Sequence, residues 1–318
     1  MSHVYALTGA TGEIGRRVAE GLAGLELQQR LIVRDPSRAP RLPGARVAQV
    51  GSYADARAMG RALSGIHTLF LVSAHDSIGV IHRAAMSGRP IPTYDRVHDH
   101  IAAVAAAAAV GVERIVYLSF LSPAPDATFL LGRDHFYTEE YIRSAGLSFT
   151  FLRQSLYMDR VAQHVSRSDV IRVPAGEGRV AWVSRDDVAA AAVAVLVGGG
   201  HDGKTYDVTG PEALTMAETA AILGAASGRT ISYAAQSPHE ARILRNTSRM
   251  EEMEAARKAQ TGHGLTDLEV EIWISHYLQI ATGEVAQLSD AIPTLCGRPA
   301  ESLEEYLRKN PMMTEHVQ

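Results

Sequence analysis

The stretch HVYALTGATGEIGRRVAEGL, residues 3–22, decides the fold of this chain. A short apolar run leads directly into the loop TGATGEIG, residues 8–15, in which Gly9, Gly12 and Gly15 follow one another at intervals of three, and a helical pattern comes next. Glycines at this spacing allow a tight turn and let backbone N–H groups approach a pyrophosphate, and the helix N-terminus adds a favourable dipole. Because strand, loop and helix follow in this order, the pattern predicts a dinucleotide-binding unit rather than a purely structural turn.

Short apolar runs alternate with helical patterns over the first half of the chain. We predict strands at residues 3–8, 30–34, 45–50, 67–74, 114–120 and 148–154, and helices near 13–24, 53–63, 97–110 and 134–145. Strands of continuous apolar character, separated by helices, are typical of a parallel sheet covered on both faces. Since such crossovers are right-handed, the expected fold class is α/β, a Rossmann-like doubly wound parallel sheet.

The pattern changes after the sixth predicted strand, without a linker or a clean break. Residues 1–155 are predicted to form the dinucleotide-binding Rossmann domain. Residues 156–318 are predicted to form a smaller, mainly helical substrate-binding part that packs on the carboxyl edge of the sheet. Within this part, Thr215 followed by Glu218 has the pattern of a capping box at a helix start. Ser302 is likewise expected to cap a last short helix.

The composition is that of an ordinary globular protein with one large domain or two unequal ones. Of 318 residues, 46% are apolar and 21% are charged, and with a net charge of −4 no basic patch indicates a nucleic-acid partner. The single cysteine, Cys296, excludes a disulfide within the chain and suits a reducing cytoplasm. We see no signal-peptide pattern and no apolar run long enough for a membrane span, so we expect a cytoplasmic monomer or homodimer that acts on a small molecule.

Two arginines at the end of the second predicted strand bear on the choice of cofactor. Arg34 lies 19 residues after Gly15, in LIVRDPSR, where NAD enzymes carry an acidic residue for the ribose 2′-hydroxyl; Arg38 follows one helical turn later. Two guanidinium groups can hold a 2′-phosphate, so the sequence favours NADPH over NADH. Asp35 argues slightly for NADH, and the alternative is that both arginines are solvated surface charges.

A set of motifs spread over residues 4–235 carries a resemblance to a known family. The motifs are TGATGEIG, VRDPSR, LFLVSA, VERIVYLSFL, RDHFYTEEYIRSAGLSFTFLRQSLYMD, GEGRVAWVSRDDVAAA and GKTYDVTGPEALT. With them the chain resembles an atypical short-chain dehydrogenase/reductase of the NmrA-like group, and is most similar to its NAD(P)H:quinone oxidoreductase type 2 and triphenylmethane reductase members. The resemblance implies a nicotinamide cofactor and direct hydride transfer.

The resemblance also implies which residues meet the cofactor. It assigns the 2′-phosphate contact to Arg34, positions near the ribose and nicotinamide to Ser73 and Ser119, and the phosphate loop to Gly9, Thr11, Gly12, Glu13 and Ile14. The sequence departs from the family where Ser52 replaces a usual acidic residue. Residues 73–100 are also longer than usual after the fourth strand, and we expect them to lie near the substrate crevice as a lid.

The stretch GRDHFYTEEYIRSAG, residues 132–146, lies where related dehydrogenases carry a Tyr-x-x-x-Lys pair. Here Tyr137 is followed four residues later by Tyr141, and Glu140 stands where many relatives carry lysine. A lysine cation acidifies the tyrosine and holds the ribose, so without it proton abstraction from an alcohol is poorly supported. A neutral tyrosine or a water can still donate a proton, and a conjugated acceptor asks little of such a donor. The missing lysine therefore favours a reductase of activated acceptors.

Three side chains are candidates for assisting the reaction. Ser119 ends a predicted strand at the catalytic edge, with a capping hydroxyl as the alternative. Tyr137 is expected either to point into the crevice or to be an amphipathic core residue. His135 belongs to the residue type that titrates near neutrality and can supply a proton, although we favour a structural histidine at a helix start.

Aromatic and apolar side chains of the later elements are candidates for the substrate pocket: Phe120, Tyr157, Met158, Trp182, Trp273 and Tyr277. On a helix, Trp273 and Tyr277 share a face, and a core stripe is the plainer interpretation of that pair. Histidines crowd the long stretch after the fourth strand, at His75, His82, His98 and His100. Their spacing is not that of a tight ligand set, so no metal site is predicted.

Three functions remain open at this point. The leading hypothesis is an NADPH-dependent reductase that transfers a hydride to a quinone-like or other conjugated carbonyl compound. The second is a non-catalytic NADP-binding redox sensor of the NmrA type, which the missing lysine keeps possible. The third is an isomerase or epimerase that recycles its cofactor; it ranks last because that chemistry usually needs the tyrosine base.

Overall fold

The structure is a computed structural model that describes residues 3–73, 95–247 and 267–312. Its strands are β1 (Tyr5–Thr8), β2 (Gln29–Val33), β3 (Ala45–Gln49), β4 (Thr68–Val72), β5 (Arg114–Phe120), β6 (Ser148–Gln154), β7 (Val170–Val173), β8 (Arg179–Val180), β9 (Lys204–Val208), β10 (Leu214–Thr215) and β11 (Ser232–Ala235). Within these ranges one parallel sheet has the strand order β3-β2-β1-β4-β5-β6-β9. The predicted Rossmann-like doubly wound sheet is confirmed.

The helices cover both faces of this sheet. They are α1 (Glu13–Gly24), α2 (Ala56–Leu63), α3 (Asp95–Ala109), α4 (Leu130–Ser144), α5 (Arg185–Val197), α6 (Met216–Ser227), α7 (Asp267–Ala281), α8 (Ala291–Cys296) and α9 (Leu303–Lys309), and residues 238–247 are also helical. On one face α1 packs against α5, and on the other α3 lies between α2 and α4. This two-sided cover explains why the central strands are rich in apolar residues; all seven residues of β5 are buried.

The strand order reverses between β1 and β4, which are neighbours in the sheet although two strands separate them in the chain. In open parallel sheets, ligands bind outside the carboxyl ends of the strands at such a switch point. Three of the predicted site residues follow directly after strands at this edge: Gly9 after β1, Arg34 after β2 and Ser73 after β4. The fold therefore gathers them at one rim.

The C-terminal part extends the sheet and adds a second apolar cluster. Beyond residue 155, β9 pairs with β6 and α5 covers the sheet, so the domain division at that residue stays a prediction. The second cluster surrounds Trp182 and includes side chains of α6 and α7. Both predicted helix starts are confirmed, because Thr215 and Ser302 each form a capping box. Among the described helices, none combines the length and apolar character needed to cross a membrane.

Candidate functional site

The loop after β1 has the geometry of a phosphate cradle. Gly9 has φ +67°, in the left-handed region that favours glycine, and its carbonyl accepts the Gly12 N–H at 2.8 Å. Gly15 lies so close to this turn that a Cβ atom there would be 2.3 Å from the Gly9 carbonyl oxygen. Gly12 is the N-cap of α1 and has no side chain to bond the first-turn N–H groups, which leaves them for an external acceptor. These features fit a bound pyrophosphate.

The other residues of the loop differ in how far their side chains are exposed. Thr11 is half-buried, Ile14 is buried in the core beneath the loop, and Glu13 is exposed at the helix start. Arg17 donates to the Glu13 carboxylate at 2.7 Å and to Asp186 at 2.7 Å. The hydrogen bond from Arg17 to Glu13 holds the pKa of the Glu13 carboxyl below its usual range. Arg17 is shared between the Glu13 and Asp186 carboxylates, so it offsets part of the negative charge beside the loop.

The predicted 2′-phosphate arginines lie beyond β2 and are both exposed. Arg34 follows the strand directly, and Arg38 ends a short 3-10 helix, Pro36–Arg38. The intervening Asp35 accepts from the Ser37 hydroxyl at 2.6 Å and from the Ser37 N–H at 2.9 Å, and these bonds lower the pKa of Asp35. Asp35 therefore caps the 3-10 helix. This role weakens the argument that Asp35 favours NADH.

A buried arginine meets Ser73 at the end of β4. Arg96, near the start of α3, donates to Ser73 Oγ and to the Asp134 carboxylate at 3.2 Å, and its Nη2 lies 3.1 Å from His135 Nε2. Arg96 is 8% exposed, so this charge is largely removed from water. Burial raises the pKa of Asp134, and the adjacent guanidinium opposes that rise. One side chain thus ties β4, α3 and α4 together at the carboxyl edge of the sheet.

The same network continues beneath the edge. His135 Nδ1 lies 2.9 Å from the Tyr117 hydroxyl in the middle of β5. His100 on α3 places Nδ1 2.8 Å from Thr138 Oγ1 and Nε2 3.4 Å from Ser73 Oγ. Burial, and to a lesser degree the neighbouring arginine, holds the pKa of His135 and of His100 well below the usual histidine range. His135 is thus buried and bonded inside the protein, which agrees with the favoured interpretation of a structural histidine, and its role as a proton donor stays a prediction.

Ser119, a predicted contact of the cofactor and a predicted catalytic residue, is engaged inside the protein. Its hydroxyl donates to Glu139 at 2.6 Å, and both residues are buried. Glu139 also accepts from Arg153 at 2.7 Å and from Arg143 at 3.0 Å. The hydroxyl thus belongs to a structural cluster between β5, β6 and α4. A direct role of Ser119 with cofactor or substrate stays a prediction.

Tyr137 lies on the outer side of α4. It is 45% exposed, and its ring contacts Phe136 with 5.4 Å between the ring centroids. The neighbouring residues His135 and Thr138 are the ones that turn toward the buried network. The expectation that Tyr137 points into a crevice rests on the sequence pattern and gains no support from this position.

Tyr157 and Met158 follow β6 at the same rim of the sheet. The Arg185 guanidinium lies 3.9 Å from the centroid of the Tyr157 ring and donates to both Asp159 carboxylate oxygens at 2.9 Å. Met158 is 1% exposed. Burial raises the pKa of Tyr157, so its phenol stays neutral beside the cation. Tyr157 and Met158 pack against the two apolar clusters, and their role in a substrate pocket stays a prediction.

The other predicted pocket residues form a cluster in the C-terminal part. On α7, the Trp273 and Tyr277 rings lie 4.7 Å apart, and the Tyr277 hydroxyl is 2.8 Å from His164 Nδ1. Trp182 is buried and its indole N–H donates to Thr219 at 3.1 Å, as expected of a core residue. These contacts agree with the core interpretation made from the sequence, and a role in a substrate pocket stays a prediction.

Aromatic contacts connect this cluster to β5. The Phe120 and Phe129 ring centroids are 5.2 Å apart, Phe129 and His276 are 5.6 Å apart, and His276 and Tyr277 are 5.1 Å apart. Burial lowers the pKa of His276 to about 4, so the ring is neutral at pH 7. The result is one continuous aromatic wall, formed by Phe120, Phe129, His276, Tyr277 and Trp273, that begins at the carboxyl end of β5.

Sequence reasoning missed four residues of the network: Arg96, Tyr117, Asp134 and Thr138. A weak signal was available, because Arg96 and His100 are four apart on α3, as are Asp134 and Thr138 on α4. Such pairs share a helix face, but which face is buried depends on the packing.

Part of the predicted lid, including His75 and His82, lies outside the described residues. Within the ranges that the structure does describe, no group of three or more His, Cys, Asp and Glu side chains is arranged to hold a metal ion.

Comparisons with known proteins agree with this geometry. The sequence model of the family described as NAD(P)H-binding matches residues 9–197. An NAD(P)H azoreductase of Xenophilus azovorans is 29% identical over 307 residues, which are 95% of this chain and 96% of that protein. A (4-alkanoyl-5-oxo-2,5-dihydrofuran-3-yl)methyl phosphate reductase of Streptomyces griseus is 33% identical over 307 residues, which are 94% of this chain and 95% of that protein.

A solved structure matches nearly the whole fold. The NADPH-dependent quinone oxidoreductase of Escherichia coli, crystallised with NADPH, superposes with a TM-score of 0.81 at 28% identity. The match covers 96% of this chain and 99% of that one. The similarity therefore includes the C-terminal part as well as the nucleotide-binding half.

Proposed function

Because the chain belongs to the NAD(P)H-binding family, we propose that it transfers a hydride from NADPH to a quinone-like or other conjugated carbonyl compound. The resemblance to the NmrA-like group is confirmed, and the protein is an NAD(P)H-dependent oxidoreductase with NADP(H) as its cofactor. The three similar reductases are named for an azo compound, an oxo-dihydrofuran phosphate and a quinone, and all three names denote conjugated acceptors. This common feature supports the proposed substrate class.

The observation that carries the proposal is the burial of the hydrogen-bonded histidines behind Ser73. Oxidation of an alcohol needs a base at the reacting hydroxyl, and a base is effective when its pKa lies near the working pH. The two histidines of the network, His100 and His135, have pKa values well below that range. A conjugated acceptor needs no such base, since its reduced anion is already stabilised by delocalisation. The site therefore suits reduction of an activated acceptor.

The residues of this chain supply binding and orientation. The Gly9–Gly15 turn and the first-turn N–H groups of α1 would hold the pyrophosphate, and Arg34 with Arg38 would hold the 2′-phosphate. When bound, NADPH supplies the hydride. Because Ser73 follows β4, across the switch point from the adenine side, the nicotinamide end is expected near it. The aromatic wall that begins at Phe120 offers an apolar face for a planar acceptor.

The test is acceptor-dependent consumption of NADPH. The panel contains benzoquinones, naphthoquinones, an azo dye and an unactivated ketone, and a parallel assay follows NADP⁺ reduction by simple alcohols. We expect turnover with quinones and a kcat/KM at least ~100-fold lower with the ketone, whose alkoxide needs a proton donor. Tight NADPH binding with no turnover on any acceptor would instead identify a redox sensor. Efficient alcohol oxidation would contradict the proposal outright.

A further inference from the structure

The missing lysine raises the question of which residue brings a positive charge to this edge of the sheet. In this structure a buried arginine on α3 does so. In the Tyr-x-x-x-Lys arrangement the lysine acidifies the tyrosine and holds the ribose. In this chain the helix that would carry it, α4, turns Asp134 and His135 inward instead. Both contact the guanidinium of Arg96, which enters from α3. The positive charge at the carboxyl edge of β4 and β5 is therefore present, but it is an arginine on a different helix.

The direction of each hydrogen bond on one side of Arg96 follows from donor chemistry. A guanidinium has only N–H donors, so His135 Nε2, 3.1 Å from Nη2, must accept and carry no proton. A neutral imidazole then has its proton on Nδ1, which donates to the Tyr117 hydroxyl oxygen at 2.9 Å. Burial and Arg96 lower the pKa of His135, in agreement with this neutral form. The arginine thus selects one tautomer of His135.

The other side of the network fixes Ser73. Thr138 Oγ1 donates to the Asp134 carbonyl at 2.7 Å, so it must accept from Nδ1–H of His100 at 2.8 Å. His100 Nε2 is then unprotonated, and the Ser73 hydroxyl, 3.4 Å away, is the group that can donate to it. Ser73 Oγ accepts from Arg96. The Ser73 hydroxyl is therefore held on both sides by the network, with its proton directed to His100 and its oxygen accepting from Arg96.

We propose that Arg96 is a positioning residue, and that it supplies from α3 the cation that the missing lysine would have brought to this edge of the sheet. Its permanent charge holds the Ser73 hydroxyl and the His135 ring in one arrangement at the edge where the nicotinamide ribose and the acceptor are expected. A guanidinium stays protonated at any pH that the protein tolerates, whereas a lysine does not. The inference rests on the proposed reductase function for its kinetic consequences only.

The kinetic test compares Arg96→Met and Arg96→Lys with wild type on one quinone. We expect Arg96→Met to lower kcat about 10²–10³-fold, the loss typical when a preorganised charge or donor is removed. Arg96→Lys should recover at least about tenfold of that loss near neutral pH. Its kcat should then fall at alkaline pH, where a buried lysine loses its proton, while wild type shows no such limb. An unchanged kcat in Arg96→Met, or a lysine variant without the alkaline limb, would overturn the proposal.

Arg114 provides a matched control. It is a buried arginine at the opposite, amino end of β5, bonded to Thr150 at 3.0 Å and paired with Asp202 at 3.2 Å. Arg114→Met should lower the thermal midpoint to a similar extent as Arg96→Met, with kcat within about threefold of wild type. An equal kcat loss in both variants would mean that any buried arginine produces the effect, and the positioning role would be rejected.

A second measurement is independent of turnover. The ¹⁵N chemical shifts of the histidine rings distinguish the two neutral tautomers in the whole protein. In the wild-type protein the network requires the tautomer protonated on Nδ1 at both His135 and His100. In Arg96→Met we expect His135 to lose its preference for this tautomer. If wild type shows Nε2–H at His135, the positioning inference fails even if the protein reduces quinones. If the tautomers are as required but no acceptor is turned over, only the proposed reductase function fails.

Discussion

The Ser119 hydroxyl donates to the buried Glu139 carboxylate at 2.6 Å, whereas Ser73, at the end of the neighbouring strand, accepts from Arg96. The two serines end adjacent parallel strands, and both were expected near the nicotinamide. Their partners differ: Glu139 also holds two arginines of the surrounding helix and strand, so the Ser119 cluster is internally complete. Ser73 belongs instead to the network that reaches the rim.

This difference predicts opposite effects of two alanine substitutions. Ser119→Ala should lower the free energy of unfolding by about 1.5–3 kcal/mol, because a hydrogen bond to a charged group is lost. Ser73→Ala should lower kcat on a quinone more than it lowers stability. Urea unfolding and steady-state kinetics on both variants make the comparison. A large kcat loss in a fully stable Ser119→Ala protein would assign the catalytic contact to Ser119 instead.

The phosphate loop predicts a graded response to added side chains. A Cβ at Gly15 would lie 2.3 Å from the Gly9 carbonyl oxygen, while one at Gly12 would lie 3.3 Å from the same atom. Gly15→Ala should therefore disturb the turn and destabilise the protein. Gly12→Ala should fold with a small adjustment, and Gly12→Val should fold but bind NADPH more weakly, since its branches enter the pyrophosphate space. Thermal unfolding and fluorescence titration with NADPH separate the two effects; a folded Gly12→Val protein with wild-type affinity would place the cofactor elsewhere.

Cofactor preference is predicted from the two exposed arginines beyond β2. Loss of one charge-assisted contact costs about 1.5–3 kcal/mol, which is roughly a ten- to hundredfold change in affinity. Arg34→Ala should weaken NADPH binding by that factor and leave NADH binding almost unchanged. Arg38→Ala should act in the same direction. Arg46, an exposed arginine on the edge strand β3, serves as the control substitution. Equal affinity of the wild-type protein for NADPH and NADH would remove the basis of this assignment.

Two buried histidines, His276 of the aromatic wall and His164 beside Tyr277, predict a loss of folding stability in acid. Burial lowers the pKa of His276 to about 4 and that of His164 to about 3, from the ordinary 6.5. Between these values and pH 6.5 the unfolded chain binds protons that the folded protein does not, so folding stability falls as the pH falls through that window. Each histidine contributes at most about 1.4 kcal/mol per pH unit. Urea unfolding between pH 7.5 and 4.5 should show a shallower slope in His276→Gln. Exposed His98 on α3 is the control, and an identical slope in wild type and His276→Gln would contradict the prediction.

The strands of the central sheet could be predicted from the sequence, because buried strands are rich in apolar residues. Strands β5 and β6 match the predicted ranges 114–120 and 148–154, since the middle of a strand covered on both faces is rich in apolar and aromatic residues. Helix α4 begins at Leu130, four residues before the predicted start. Its N-cap, Phe129, makes no side-chain capping bond, so no capping signal marked the true start in the sequence.

The site was predictable where it is local and not where it depends on packing. The phosphate loop and Arg34 lie within one strand–loop–helix unit and its neighbour, so spacing alone placed them at the carboxyl edge of the sheet, and their contacts with the cofactor stay predictions. Arg96 and Tyr117 come from α3 and β5 and meet His135 of α4 only in the folded protein. The burial of His135, which lowers its pKa, is likewise a property of that assembly and has no local signal in the sequence.

Tyr137 gives a further prediction about proton donation. Its exposed position on α4 means that Tyr137→Phe should change kcat/KM on a quinone by much less than the 10²–10⁴-fold typical of general acid catalysis. A simple ketone should be affected more, since its alkoxide needs a proton as it forms. The comparison uses wild type and Tyr137→Phe on both acceptors. A thousandfold loss on the quinone would make Tyr137 an essential acid despite its exposure.

The most direct test of the central claim is a single-turnover reaction with NADPH deuterated at nicotinamide C4. The wild-type protein with bound cofactor is mixed rapidly with a naphthoquinone, and the nicotinamide absorbance is followed. Hydride transfer to a quinone predicts a loss of this absorbance that depends on the acceptor and slows with deuterium on the transferred position. If the bound NADPH keeps its absorbance with every conjugated acceptor, while it stays tightly bound, the protein does not reduce this class of compound.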